Sequence, residues 1–229
     1  MSPKKKAIVI ISLFIIMAIS VNIAIIAIGG GFSGQGIQSL TNLPTEEDLW
    51  KAGQSISDGM KLEYNYISSE KERITSDLDI SVLFKEYDAD YWNATINIIN
   101  GTEEIIFNSK ISKNNLIFDK KPVELKKSIE LLESSIFSIR DNTREPKYLV
   151  VGAIWDNINY KLSTIPMKII SKNDINSSQY EFQAYILNYD LDDKKNNIWI
   201  VKDLPLPIKA EIHKENNVKY EFTLQNVTK

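Results

Sequence analysis

The chain has no cysteine, so it can form no disulfide, carry no lipid on a thiol and offer no thiolate to a metal. Histidine is almost as scarce. His213 is the single one, and a strand phase there groups it with Lys209 and Glu211, opposite Ile212. That placement predicts a surface residue and gives no support to a Ser-His-Asp arrangement. The only arginines, Arg73, Arg140 and Arg144, are scattered. Acidic residues are missing from the first 45 positions, whose only charges are Lys4, Lys5 and Lys6. Taking those three from the 27 bases leaves 24 against 30 acids, so the rest of the chain carries a net charge of −6. Such a domain has no electrostatic reason to bind a phosphate backbone. Nucleic acid is not an expected partner.

What is present at the amino terminus points to a membrane. Ala7 to Ile28, "AIVIISLFIIMAISVNIAIIAI", holds no charge over 22 residues. As a helix it spans roughly 33 Å, enough for a hydrocarbon core of about 30 Å. A cleaved secretion signal has a shorter apolar core and a small-residue cleavage site, which "IAIGGGFSGQG" does not offer. Lys4–Lys6 stand just before the run and nothing basic follows until Lys51. The positive-inside tendency then keeps residues 1–6 in the cytoplasm and puts the remainder outside a single-pass anchor, 7–28. "KKKAIVIIS" also resembles the processing site of archaeal type IV pilin precursors, which implies a filament or surface-layer component as the alternative.

Residues 29–45, opening "GGGFSGQG", read as a flexible tether. The domain follows, over 46–229. Thr45 before Glu46, Glu47 and Asp48 predicts a short helix that delivers Leu49 and Trp50 to a core. From Met60 the apolar period is two. Leu62, Tyr64 and Tyr66 form one row, Leu78 to Phe84 another, and Trp92 to Ile98 a third. Asn100-Gly101 then signals a tight hairpin, Ile105 to Ser109 returns, and Leu116 to Asp119 makes a short fifth strand. Leu125, Ile129, Leu132, Ile136 and Ile139 recur every three or four residues, which predicts one long helix over 122–140 with Pro122 in its first turn. Further strands are expected at 148–155, 165–171, 180–189, 198–202, 208–213 and 218–224.

This inventory constrains the architecture. About ten strands at ~4.8 Å spacing make a flat sheet nearly 50 Å wide, while a helix covers a strip of about 10 Å. The apolar face left over would exceed what a monomer tolerates. A mainly β (α+β) fold is therefore expected, with a curved antiparallel sheet wrapped on the helix. Pro166, Pro205 and Pro207 suit edges and corners of such a sheet, because proline cannot donate to a ladder.

The segment "WIVKDLPLPIKAEIHKENNVKYEFTL" resembles the closing part of the half-barrel lipid and lipoprotein carriers of the Lol and LppX/LprG type. Those commonly end in a Trp strand, an Asp, a Leu-Pro corner and a hairpin, and Trp199, Asp203, Leu204 and Pro205 hold the matching positions. The carriers are soluble or attached through a lipidated cysteine, unlike this chain. The resemblance implies an apolar concave face that holds acyl chains or another protein's apolar segment. Tyr64, Tyr66, Phe84, Trp92, Tyr220 and Phe222 are the candidate lining.

Chemistry is thinly represented. Asp88 and Asp90, and Asp190, Asp192 and Asp193, are acidic clusters without the spacing of a calcium loop, so no metal and no cofactor is expected. Sequons at Asn93, Asn100, Asn176 and Asn226 are candidate glycosylation sites on an outward-facing domain. The expected protein is a membrane-anchored, non-catalytic binding or scaffold protein whose partners are the membrane and a lipid or envelope protein. An enzyme is the third reading.

Overall fold

A computed structural model describes residues 44–176, 181–214 and 217–229. The expected anchor and tether, 1–6, 7–28 and nearly all of 29–45, lie outside the described residues. Within the described residues no helix is long and apolar enough to cross a membrane.

Residues 44–229 form one compact unit. Its main body is a ten-stranded antiparallel sheet made of two meanders. β2 (Lys61–Glu70), β3 (Arg73–Glu86), β4 (Tyr91–Asn100) and β5 (Glu103–Ser112) form the first. β7 (Ile154–Tyr160), β8 (Ser163–Asn176), β9 (Glu181–Leu191), β10 (Lys194–Ile200), β11 (Lys209–His213) and β12 (Val218–Thr228) form the second. They join where β12 pairs with β2, so the spatial order is 5-4-3-2-12-11-10-9-8-7. A two-stranded ladder of β1 (Leu49–Trp50) and β6 (Lys147–Tyr148) stands apart.

Register explains why one face is buried. Ile169 lies opposite Leu187, Leu187 opposite Ile198, and Ile198 opposite Ala210. Ala210 lies opposite Phe222, Phe222 opposite Tyr66, and Tyr66 opposite Leu78. This apolar row crosses seven strands, and every member is buried. Because side chains alternate, a one-residue slip in any strand would turn its share of the row to solvent.

The cover over that face is smaller than the sequence suggests. The 122–140 helix is realised as a 3-10 turn, Val123–Leu125, a nine-residue α1, Lys126–Ser134, and a second 3-10 turn, Ser138–Asn142. Ser135 interrupts it at φ −123° and ψ −99°. Its hydroxyl and that of Ser134 both donate to the Leu131 carbonyl, the local competition that makes serine poor inside helices. The break lets Ile136, Phe137 and Ile139 all bury. The apolar stripe was legible in the sequence, but the length was not.

Other elements also differ from expectation. Leu116–Asp119 is no strand, only a single bridge from Phe118 to Ile111. Leu116 sits at φ +55°, which is incompatible with a strand. The expected strand 148–155 splits into β6, a turn with Gly152 at φ +95°, and β7. Thr45 opens a single 3-10 turn, Glu46–Asp48, closed by a capping box in which Thr45 N–H donates to the Asp48 carboxylate at 2.9 Å. That bond holds the Asp48 carboxyl below its ordinary range. Trp50 is delivered to the core as expected, with no exposure.

The sheet is open and curled. In a flat sheet nine spacings would set β5 and β7 about 43 Å apart. Yet Trp155 of β7 stacks on Trp50 with ring centroids 5.8 Å apart. A Cβ at Gly53 would stand 2.9 Å from Leu116, just past β5. Trp50 and Gly53 are at most about 11 Å apart along the chain, so one short segment touches the surroundings of both edges.

The prolines mark the corner. Leu204 to Ile208, between β10 and β11, is buried throughout, which is rare for a loop because its backbone must find partners. The Leu204 carbonyl accepts from Trp50 Nε1 at 2.9 Å, and that of Pro205 from the Gly53 N–H at 2.8 Å. Pro207 accepts from the Tyr64 hydroxyl at 3.1 Å. The two prolines have no N–H to satisfy, so the loop has three backbone donors to pair instead of five. Pro166 pairs only with Asn157 of edge strand β7, because β8 meets β9 from Lys168 onward.

Gly53 is the most constrained position in this arrangement, at φ +85° with Leu116 against its missing Cβ. Gly53→Ala should cost about 2 kcal/mol, one part left-handed backbone and one part overpacking. Thermal unfolding should show a fall in Tm of roughly 4–8 °C. An unchanged Tm would show that the 50–53 segment does not pin the corner.

Candidate functional site

The inward face is not filled equally along the sheet. Over β2–β5, aromatic rings and the cover segment close it. Phe84 packs edge-on against Trp92, and Tyr64 edge-on against Phe222. Phe118 meets Phe137 in the same way. The cover is fixed here by Arg140, whose guanidinium donates to the Leu116 carbonyl at 2.7 Å and pairs with Glu133 at 3.0 Å. Burial opposes ionisation of Glu133, but Lys121 and Arg140 outweigh it and its carboxyl is lowered.

Over β7–β12 the cover contributes Ser138 and Asn142 to the lining of an open space. A cavity of about 650 Å³ remains there. Its walls come from successive strands: Ile158 (β7), Met167 (β8), Tyr189 (β9), Ile198 (β10), Ile212 (β11) and Tyr220 (β12). Each reaches the cavity because it occupies the inward phase of its strand. Leu191, Val218, His213 and Lys214 complete the lining toward the end of the sheet where β9–β10 and β11–β12 turn. A second space of about 340 Å³ shares Leu191, His213 and Lys214, so it continues the cavity outward. That outer space adds Tyr160, Asp192, Lys194 and Asn217.

Burial makes the tyrosines poor acids. It pushes Tyr189 up to about 12 and raises Tyr220 well above its ordinary value, although a hydrogen bond with Ser138 moderates the latter. Tyr64 is also raised by burial, inside the core. Lys214 is lowered by loss of water. At the mouth, Asp192 is held low by Lys161, 2.6 Å away, and by the Tyr160 hydroxyl at 2.7 Å.

Of the six aromatic candidates, Tyr220 lines the cavity. Tyr66 stacks behind it at 6.0 Å. Tyr64, Phe84, Trp92 and Phe222 are buried in the core and line no part of the cavity. Trp199 is half-buried on the outward phase beneath Lys209, Asp203 is exposed, and Leu204 and Pro205 are buried in the corner. His213 ends β11 half-buried at the cavity mouth, with Nδ1 3.2 Å from the Lys195 carbonyl. Missed were Ile158, Met167, Tyr189, Ile198 and Ile212. Met167, Tyr189, Ile198 and Ile212 were visible as strand apolars, whereas Ile158 fell outside every expected strand; which end of the sheet the cover leaves open depends on where α1 breaks.

The acidic clusters serve turns. Asp88 Oδ1 accepts from the N–H groups of Asp90 and Tyr91, and Asp192 and Asp193 make the β9–β10 turn at φ +48° and +61°. Among the described residues no group of three or more His, Cys, Asp or Glu could hold a metal ion. Asn93 is half-buried on β4 and Asn100 is exposed before the turn. Asn176 ends β8. Asn226, on β12, donates to Glu63 at 2.8 Å.

The raised tyrosines give a pH signature. Above about pH 10 an unfolded chain ionises Tyr189 while the folded one keeps it neutral, so stability falls as pH rises from 10 toward 12. Tyr189→Phe should flatten that fall by up to about 1.4 kcal/mol per pH unit. Denaturant unfolding at pH 9, 10 and 11 checks this, and identical slopes for both proteins would contradict it.

No family model matches the chain, and no curated protein matches it. Among solved structures, it is similar to a DUF1329 family protein from Desulfovibrio piger, at 8% identity and a TM-score of 0.24. That match covers 76% of this chain and 87% of the other. It is also similar to an outer membrane lipoprotein-sorting protein domain from Vibrio parahaemolyticus, at 9% identity and a TM-score of 0.23. Here 74% of this chain and 84% of the other are covered. Likenesses this loose carry neither function nor site residues across.

Proposed function

We propose that this protein is a membrane-anchored, extracytoplasmic binding protein that holds an apolar ligand, of the class of a lipid acyl chain, without catalysis. The observation that carries this reading is the cavity of about 650 Å³ under β7–β12, walled by Ile158, Met167, Ile198 and Ile212 and by the Tyr189 and Tyr220 rings. Its size falls within the roughly 300–1,000 Å³ of small-molecule sites. A scaffold would gain stability by filling that space, as the β2–β5 half does. The anchoring part of the reading rests on the uncharged 22-residue run after Lys4–Lys6. The half-barrel carrier resemblance at Trp199–Pro205 agrees with an acyl ligand.

Photolabelling tests this on the full-length chain in native membranes. A palmitate analogue bearing a diazirine should label peptides from β7 to β12, and Val218→Trp, which fills the cavity, should reduce the label at least tenfold. Labelling confined to other peptides, or unchanged by Val218→Trp, would contradict the reading. Competing saturated fatty acids should tighten by about tenfold for each two added methylenes until the cavity is full, as ~0.8 kcal/mol per buried methylene requires.

A further inference from the structure

The cavity's walls are apolar, but its mouth is not. Lys214 stands there with its ammonium drawn back over the Tyr220 ring, 4.7 Å from the centroid. Among the described residues no carboxylate lies within 4.0 Å of it, whereas Lys161 is matched by Asp192 and Lys219 by Glu221. Lys194 occupies the inward phase of β10, two and four residues before Asn196 and Ile198, and its register partner is Leu191 of the cavity wall. Its ammonium donates to the neutral Asn217 side chain at 2.9 Å, and among the described residues it too has no carboxylate within 4.0 Å. Both lysines line the outer space that continues the cavity.

Lys214 is exposed and Lys194 half-buried, and neither is engaged by a carboxylate of the described residues, so an arriving anion gains their attraction without displacing a partner. The one carboxylate lining the outer space, Asp192, is already neutralised by Lys161. We infer that the ligand is an anionic amphiphile, an acyl chain ending in a carboxylate or phosphate. Its chain lies between Met167, Ile198 and Tyr220, and its head group sits at Lys214 and Lys194. This rests on the binding function proposed above and gives that site its head-group selectivity. The cation–π contact presets the ammonium, so that the arriving anion finds it in place and not loose in solvent.

Four twelve-carbon competitors separate the possibilities in the photolabelling of the full-length chain: dodecanoate, dodecyl phosphate, dodecanol and dodecyltrimethylammonium. Both anions should compete at concentrations at least tenfold lower than dodecanol, and the cation should be weakest. Whichever anion is tighter identifies the head group. Lys214→Gln should bring the anions to the level of dodecanol while leaving dodecanol unchanged. Lys214→Arg should keep the preference, and it guards against a variant that merely misfolds. Equal competition by dodecanol and the anions, or a Lys214→Gln that weakens all four alike, overturns the head-group site while leaving the apolar cavity standing. Failure of all four to compete, with no label on β7–β12, overturns the binding function itself.

Discussion

The structure depends on one constraint: ten strands share a single apolar face, and the chain has only a short cover for it. Burying an apolar face is the main favourable term in folding, and leaving it wet invites association. α1, at nine residues, is about 14 Å long and can shield only a few strands. The sheet answers by curling until its two edges approach one segment, Trp50–Gly53. The corner loop Leu204–Ile208 folds onto the same segment. Three carbonyls of that loop are matched by Trp50, Gly53 and Tyr64, so a stretch that would ordinarily stay on the surface becomes part of the core.

The cavity follows from where that cover stops. On the β2–β5 side, Phe118 bridges to Ile111 of β5 and packs edge-on against Phe137, and all three are buried. On the β7–β12 side Ser138 and Asn142 meet the space that Ile158, Met167, Tyr189, Ile198, Ile212 and Tyr220 line, while Ile169, Leu187, Ala210 and Phe222 of the same face stay in the core. The same alternation that makes a strand bury its even or odd positions therefore supplies both core and cavity wall from one face. Lysines collect where the walls end, because the β9–β10 and β11–β12 turns must be polar, and one of them, Lys214, comes to lie over the Tyr220 ring.

Much of the fold could be read from residue order. The period-two rows of β2, β3, β4, β11 and β12 and the Asn100-Gly101 turn were all visible, as was the need for curvature. What stayed hidden has local physical causes. Lys71-Glu72 turns β2 into β3 at φ +49° and +66° without glycine or asparagine, so no turn signal announced it. Ser134-Ser135 ended α1 inside an unbroken apolar stripe. The cavity was hidden for a further reason: Tyr64 and Tyr220 occupy equivalent phases on paired strands, and nothing in the sequence says which one the cover will reach. His213 showed the converse. Its phase marked it as outward, yet its place at the end of β11 sets it at the mouth.

The central claim is that the sheet wraps until β5 and β7 approach each other. Because the chain has no cysteine, a pair introduced at Asn108 on β5 and Asn157 on β7 can carry spin labels without background. Pulsed electron-spin distance measurement then reads the edge-to-edge separation directly. The account predicts a narrow distribution centred well below the roughly 43 Å of nine flat strand spacings. A distribution at or beyond that length would mean an open platform, with no enclosed face and no cavity to fill.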